Sequence, residues 1–458
     1  MSEDMTLSDF ADENNKSEQQ ENIKPTNWGN VPSDWDERKI HEVTELVSDG
    51  SHNPPKRVSN GIQILSSQNI QNGRIDFDKN PSYISPSDFE QMDNNHSIQQ
   101  GDLLMTIVGS IGRSAVVGKR SGFALQRSVA LLRTNKQVSS QFLKFVTDSQ
   151  RFHKQADSRS RATAQGGLYL EALNKINLPV PPLSEQRKIA TVLYTVDRAI
   201  EKTDAVLSQY DRIKEALISD FLSGGFTEEE LVERRLGPKP IQIPESWDII
   251  ELGNIADVKN GIRIPPGDDY SDEDTGYRFI RISDLEDGVI VEDEVKHLKE
   301  DSFEEMNRGY INSKDLFLTL NGHSIGGIGI VPPELDGVHF TDNAAKITNL
   351  NGAIPEYLLA YLQSYYGQGE ISRHTVGSGQ PKLSLFRAKR VEVLLPPVEQ
   401  QRRLKDIIES INQEIQVENR LVSHLKALKR GLMQDLLSGT VRTTDTTIEV
   451  PGEIAKYG

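Results

Sequence analysis

The chain has 458 residues, 36% hydrophobic and 26% charged, with a formal net charge of −16 and no cysteine. That length suggests two to four domains of roughly 100–200 residues. The composition excludes disulfides, thiolate metal sites and cysteine nucleophiles, and no apolar run approaches the roughly 18–20 residues that span a bilayer.

In chain order, residues 1–30 carry 2 basic and 7 acidic side chains. They read as a disordered acidic tail rather than a secretory signal, and the expected location is cytoplasmic. Residues 31–182 carry 18 basic and 15 acidic side chains. They are rich in glycine and in short β-like runs, as at 61–65, 103–108 and 130–132, with a helical stretch at 141–148. Residues 183–224 read as one long helix. Its apolar positions are Ile189, Leu193, Val196, Ile200, Leu207, Tyr210, Leu217 and Phe221, and Thr203 and Lys214 complete alternating steps of four and three. That is the 3.5-residue period of a coiled-coil seam. Pro181-Pro182 blocks an earlier start, Ser184 is the expected cap, Glu185 suits the positive end, and Gly224 is the expected stop.

Residues 225–242 read as a linker. Residues 243–397, with 14 basic and 26 acidic side chains, form a second globule with a helical stretch at 355–364. Residues 398–440 form a second long helix. Its seam is Leu404, Ile408, Ile411, Ile415, Val422, Leu425, Leu432 and Leu436, with Glu418 and Lys429 in the polar slots. Residues 441–458 read as a tail.

The second half echoes the first at an offset of 212–215 residues. Val31-Pro32-Ser33-Asp34-Trp35-Asp36 returns as Ile243-Pro244-Glu245-Ser246-Trp247-Asp248, and Gly101-Asp102-Leu103-Leu104 returns as Lys314-Asp315-Leu316-Phe317. Pro181-Pro182-Leu183-Ser184-Glu185-Gln186-Arg187 returns as Pro396-Pro397-Val398-Glu399-Gln400-Gln401-Arg402. The expected fold class is α/β: two mixed α/β domains separated by two long antiparallel helices in a pseudo-twofold repeat. Each helix, about 38 residues, is roughly 57 Å long at 1.5 Å per residue. A narrow apolar seam of that length needs a partner, and the simplest is the other helix. Antiparallel pairing would set the two globules at opposite ends of a rod.

These residues resemble the specificity subunits of type I restriction–modification systems. The proline-rich exit with its glutamine-arginine start, at 181–190 and again from Pro396, is similar to the family's helical region. Asp49-Gly50-Ser51-His52 is similar to its Asp-Gly-Thr-His turn, and Asn260-Gly261-Ile262-Arg263 stands in that place in the second domain. Gly101-Asp102-Leu103-Leu104, the glycines of 109–112 and the segment 377–384 also fit; the first-domain counterpart of that last segment, 163–168, lacks its proline. The resemblance covers about residues 31–440. It implies two target-recognition domains, each reading half of a split double-stranded DNA target, and helices that fix the spacing. It implies two methyltransferase subunits as partners, and through them restriction subunits that translocate DNA. It assigns no catalytic residue, cofactor or metal to this chain, and no membrane partner; S-adenosylmethionine, ATP and magnesium belong to the partners.

Base edges are read by polar side chains on loops held by a scaffold. In the first domain the candidates are Lys56, Arg57, Ser66, Ser67, Gln68, Asn69, Gln126 and Arg127, with Arg151, Lys154, Arg159, Arg161 and Gln165 as a basic cluster. In the second they are Arg281, Ser283, Asn321, His323, Asn343, Arg373, His374, Gln380 and Lys382. The ordinary alternative for each is solvated surface charge. The acidic second domain suggests that basic partner subunits supply most nonspecific affinity, so that this chain alone would bind DNA weakly. Asn53-Pro54-Pro55-Lys56 lacks the aromatic ring of an adenine methyltransferase motif, and the glycine-rich 322–327 lacks the lysine and hydroxyl of a phosphate loop. The competing readings are the DNA-binding subunit of a methylation-only complex, a free-standing methylating enzyme, and a coiled-coil scaffold with two non-DNA binding modules.

Overall fold

The computed structural model describes residues 23–50, 55–93, 97–160, 167–265, 269–286, 288–292, 295–306, 308–377 and 381–456. The chain divides into two units: Met1–Asp204 with Arg420–Gly458 form unit 1, and Ala205–Asn419 form unit 2. The helices that bear on the site are α1 (Ser140–Thr147), α2 (Gln150–Ser160), α3 (Leu183–Leu222), α4 (Pro355–Gln363), α5 (Tyr365–His374) and α6 (Val398–Ser438).

Unit 1 is built on a four-stranded antiparallel sheet in the order Ser114–Val116, Leu103–Thr106, Val129–Thr134, Thr44–Asp49. Alternate side chains of a strand face opposite sides, and here both sides are buried. Leu103 and Met105 enter a core with Trp35, Phe142, Phe145 and Leu193, while Leu104 enters a second core with Leu65, Val129 and Leu131. The second core supports a small sheet in which Ala124–Leu125 lies parallel to Ile62–Leu65.

Unit 2 repeats this plan. Asp257–Asn260, Ala344–Thr348, Leu316–Thr319 and Ile328–Ile330 follow the same strand order. Leu316 and Leu318 face one core and Phe317 the other. The small parallel pair is Arg278–Ile280 with Val338–Phe340. Met105 opposite Ala130 in unit 1 corresponds to Leu318 opposite Ala345 in unit 2.

In unit 1 the N-terminal part of α3 packs against the C-terminal part of α6. Ile189, Leu193 and Val196 share a core with Leu432 and Leu436, and Lys429 pairs with Asp197 at 2.6 Å. In unit 2, Phe221 and Leu404 share a core, and Lys214 donates to Asn412 Oδ1 at 3.0 Å. Within each unit the two helices therefore run antiparallel, and two polar seam positions, Lys214 and Lys429, are spent on cross-helix partners. None of the sixteen apolar seam residues is exposed. Near the end of α3 the buried residue is Ile218 rather than Leu217, as expected where a 3.6-residue helix drifts from a 3.5-residue pattern. No helix of the described residues is long and apolar enough to cross a membrane.

The two long helices start and stop alike. Gln186 and Gln401 are fully buried hooks. Gln186 donates to the carbonyls of Pro181 (2.8 Å) and Gln137 (2.9 Å) and accepts from Ser139 N–H; Gln401 donates to Pro396 (2.8 Å) and Gly352 (2.8 Å) and accepts from Ile354 N–H. Gly224 (φ +84°) ends α3 in the left-handed conformation, with Gly225 N–H on Asp220 O and Gly224 N–H on Phe221 O. Ser184 is not the cap. The helix begins at Leu183, and the Pro182 carbonyl already accepts from Glu185 and Gln186.

Three boundaries read from the sequence need correction. Residues 23–30 are not tail: Ile23–Pro25 pairs with Asn30–Pro32, and buried Trp28 donates to Leu437 O at 3.2 Å. Residues 225–242 are not a plain linker, because Leu231–Leu236 and Lys239–Pro244 form a hairpin closed by Gly237-Pro238. Residues 441–456 are docked, with Ile454 fully buried and Lys188 Nζ donating to the carbonyls of Thr443, Thr444 and Thr446. Single anchoring side chains without periodicity hold the two terminal segments, so no sequence pattern announced them, whereas the hairpin is held by its own backbone ladder around the Gly-Pro turn.

Candidate nucleic-acid interface

Strand order assembles the loops. In unit 1 the antiparallel sheet brings the C-terminal ends of Thr44–Asp49 and Leu103–Thr106 and the N-terminal end of Val129–Thr134 to one end. The parallel pair Ile62–Leu65 and Ala124–Leu125 sends its next residues the same way. Gly50, Ser66–Gln68, the 107–113 loop and Gln126–Ser128 therefore converge. Gly50 N–H donates to Val129 O (3.3 Å), Gln126 N–H to Leu65 O (2.7 Å), Ser67 N–H to Ser128 Oγ (3.0 Å) and Leu168 N–H to Ile107 O (2.8 Å). Arg127, Lys56, Arg57 and Gln68 are exposed, and Ser66, Ser67 and Gln126 half-buried.

Unit 2 builds the same face from different side chains. Gly261 N–H donates to Ala344 O (3.3 Å), Thr341 N–H to Ile280 O (3.0 Å) and Leu383 N–H to Leu320 O (2.9 Å). Asn321 donates to Asn343 Oδ1 at 3.3 Å and bridges by its backbone to Lys382. Arg281, Ser283, Asn321, His323, Asn343 and Lys382 thus lie on one loop cluster, with Ser283 and His323 exposed. The Asn260–Arg263 segment occupies the place of the Asp49-Gly50 turn. A Cβ on Gly50 would overlap the carbonyl oxygens of Leu125 and Gln126, and one on Gly261 those of Phe340 and Thr341.

Some candidates hold the scaffold instead. Asn69 is 4% exposed; its amide donates to Asp76 O and Lys79 O, and its oxygen accepts from Ser66 N–H at 2.9 Å. Its counterpart, fully buried Asp284, accepts from Arg281 N–H and side chain, which ties Arg281 down in part. Arg159 donates to the carbonyls of Gln155 and Lys175, and Arg151 lies against Gly29. Lys154 is exposed on α2. Arg373 is ion-paired with Glu370 and Glu392, and His374 is buried beside Glu370. Burial and then the Arg373 charge lower the His374 pKa. Arg159, Arg373 and His374 are therefore corrections, each spent on a protein contact, whereas Arg151 is exposed. Arg161, Gln165, Gln380 and the His52 turn lie outside the described residues.

Sequence reasoning missed Ser128, which ties two loops together, and Arg263, which pairs with Asp342 at 3.0 Å across the second cluster. It also missed a buried charge cluster. Lys144 bonds Asp197 at 2.8 Å and lies 3.4 Å from Asp148, with Lys429 on the far side of Asp197. Burial opposes the Asp197 charge, yet the two lysines hold its pKa below the usual carboxylate range, whereas burial raises that of Asp148. Only i,i+4 spacing of Lys144 and Asp148 hinted at it.

Comparison with known proteins bears on this arrangement. A family model described as the type I restriction modification DNA specificity domain matches residues 32–207 and 244–427. The chain is 24% identical over 446 residues to the putative type I restriction enzyme MjaX specificity subunit of Methanocaldococcus jannaschii, covering 92% of this chain and 97% of that protein. It is 23% identical over 434 residues to the EcoKI specificity subunit of Escherichia coli K12, covering 90% of each. A type I restriction–modification S subunit from M. genitalium shares the fold, with TM-score 0.51 at 14% identity over 88% of this chain and 96% of that one.

Proposed function

Because the chain belongs to the type I restriction–modification DNA specificity family, we propose that it is the DNA sequence-recognition subunit of such a complex. It reads a two-part duplex target through one loop cluster per unit. The observation that carries this reading is the repeated convergence: two sheets of the same strand order present loops at the same end, with different side chains on each. Equal scaffolds with unlike loops suit two unlike half-sites. Base edges are read from such loops, and phosphates give register. The chain performs no chemistry in this reading. Two methyltransferase subunits dock on it, restriction subunits join through them, and S-adenosylmethionine, ATP and magnesium are used by those partners.

Mapping methylated bases in a host carrying the system tests this. The wild type should mark one bipartite motif. Gln126→Ala with Arg127→Ala should relax one half of it, and Asn321→Ala with His323→Ala the other, each lost bidentate contact costing about 1–3 kcal/mol of discrimination. A motif with no second half, or one unmoved by both pairs, would refute the reading.

A further inference from the structure

The two units carry repeat-related clefts of opposite charge. In unit 1 a cleft of about 530 Å³ opens between the reader loops and α6, lined by Asn72, Arg113, His153, Lys426, Lys429 and Arg430 among others. In unit 2 a cleft of about 680 Å³ lies against α3, lined by Asp211, Lys214, Glu215, Ile218, Tyr365 and Tyr366 among others. The helix positions correspond one to one at the repeat offset of 215 residues. Lys426 answers to Asp211, Lys429 to Lys214, Arg430 to Glu215 and Met433 to Ile218. The helix wall is thus kept while its two outward-facing positions invert their charge; the facing walls differ, with residues 71–73 and 112–114 in unit 1 and residues 360 and 363–366 in unit 2.

The unit 1 cleft adjoins the reader face directly. The Ser67–Asn69 turn runs on into Gln71–Gly73 on the cleft wall, and the loop bearing Gly109, beside Ser67, ends at Gly112 and Arg113 on the same wall. Lys429 is already paired with Asp197, but Arg113 and Lys426 are exposed and have no ion pair among the described residues. Resting on the DNA-reading function, we propose that this cleft grips the phosphodiester backbone next to the half-site read by unit 1, and that unit 2 makes no matching grip. Phosphate contacts neutralise charge without reading sequence. The chain's backbone affinity is therefore one-sided, which accommodates a second domain of strongly acidic composition.

Titration of the full-length chain onto a mixed-sequence duplex, from about 20 to about 200 mM salt, tests this. Arg113→Gln with Lys426→Gln should lower the slope of log affinity against log salt by about 2, roughly 1 per phosphate contact. The reverse pair, Asp211→Lys with Glu215→Arg, should steepen it. All four residues are exposed, so an unchanged thermal midpoint confirms intact folding, and the methylated motif should stay the same. A wild-type slope retained by the Gln pair overturns the cleft assignment while leaving the DNA reading intact. Weakened assembly with methyltransferase subunits at unchanged DNA affinity would assign the cleft to an acidic protein surface and likewise overturn it. No salt-dependent duplex binding by the wild type, even at the lowest salt, would also overturn the cleft assignment, whereas only a methylated motif without two halves would sink the DNA reading itself.

Discussion

Gly50 and Gly261 stand where the entry strand of each unit crosses the reader loops, and in both the backbone approaches two carbonyl oxygens. Gly50→Ala or Gly261→Ala should cost about 1–3 kcal/mol by overpacking, read as a lower denaturation midpoint. At His339 the cost is electrostatic. The ring is fully buried, donates from Nε2 to Met306 O at 3.0 Å and packs on Tyr310, and burial lowers its pKa. The unfolded chain then takes up the proton first. Stability attributable to this ring is complete above the ordinary histidine value of about 6.5 and is lost as pH falls below it. Thermal midpoints followed from about pH 7.5 to about pH 5.5 should drop, and His339→Gln should flatten the drop. His374, whose pKa is also lowered, contributes in the same direction.

At the scale of elements, the start of each long helix is a junction. Trp35 Nε1 donates to Glu185 Oε2 in unit 1, and Trp247 Nε1 to Gln400 Oε1 in unit 2. The segment following the other helix then completes each junction differently. Arg442 bonds both carboxylate oxygens of buried Glu185 and both of Asp34, whereas Gln400 donates to Glu229 at 3.0 Å. The Arg442 guanidinium is held above its ordinary pKa by those hydrogen bonds. Arg442→Ala would strand a buried carboxylate, an expected loss of about 3–5 kcal/mol. It should also free residues 441–456, which limited proteolysis would detect as earlier cleavage there.

For the whole molecule, the proposed role makes helix length a variable of target choice. A heptad inserted at matching points of α3 and α6 keeps the seam in register and adds roughly 10 Å. At 3.4 Å per base pair, the methylated motif should gain about 3 base pairs between its halves. An unchanged spacer in the mapped motif would mean that the helices do not set it. The charge imbalance between residues 31–182, at +3, and 243–397, at −12, belongs at this scale too, since it decides where phosphate affinity resides.

Periodic burial was legible because it leaves a trace at every few residues. The two long helices, their seam, the internal repeat and the buried strand 103–106 all follow from patterns of local spacing. Asn69, Arg159, Arg373 and His374 misled because a polar side chain looks the same in sequence whether it faces solvent or a buried partner. The docked ends at Trp28 and Ile454 and the Lys144–Asp197 pair depend on residues far apart in the chain. So does the inversion of charge between Lys426 and Asp211 at matching clefts. Sequence alone determined which segments must bury a face, since the hydrophobic effect acts on local composition. Only the tertiary structure decided which polar groups remained to meet a ligand, because that depends on what folding had already paired them with.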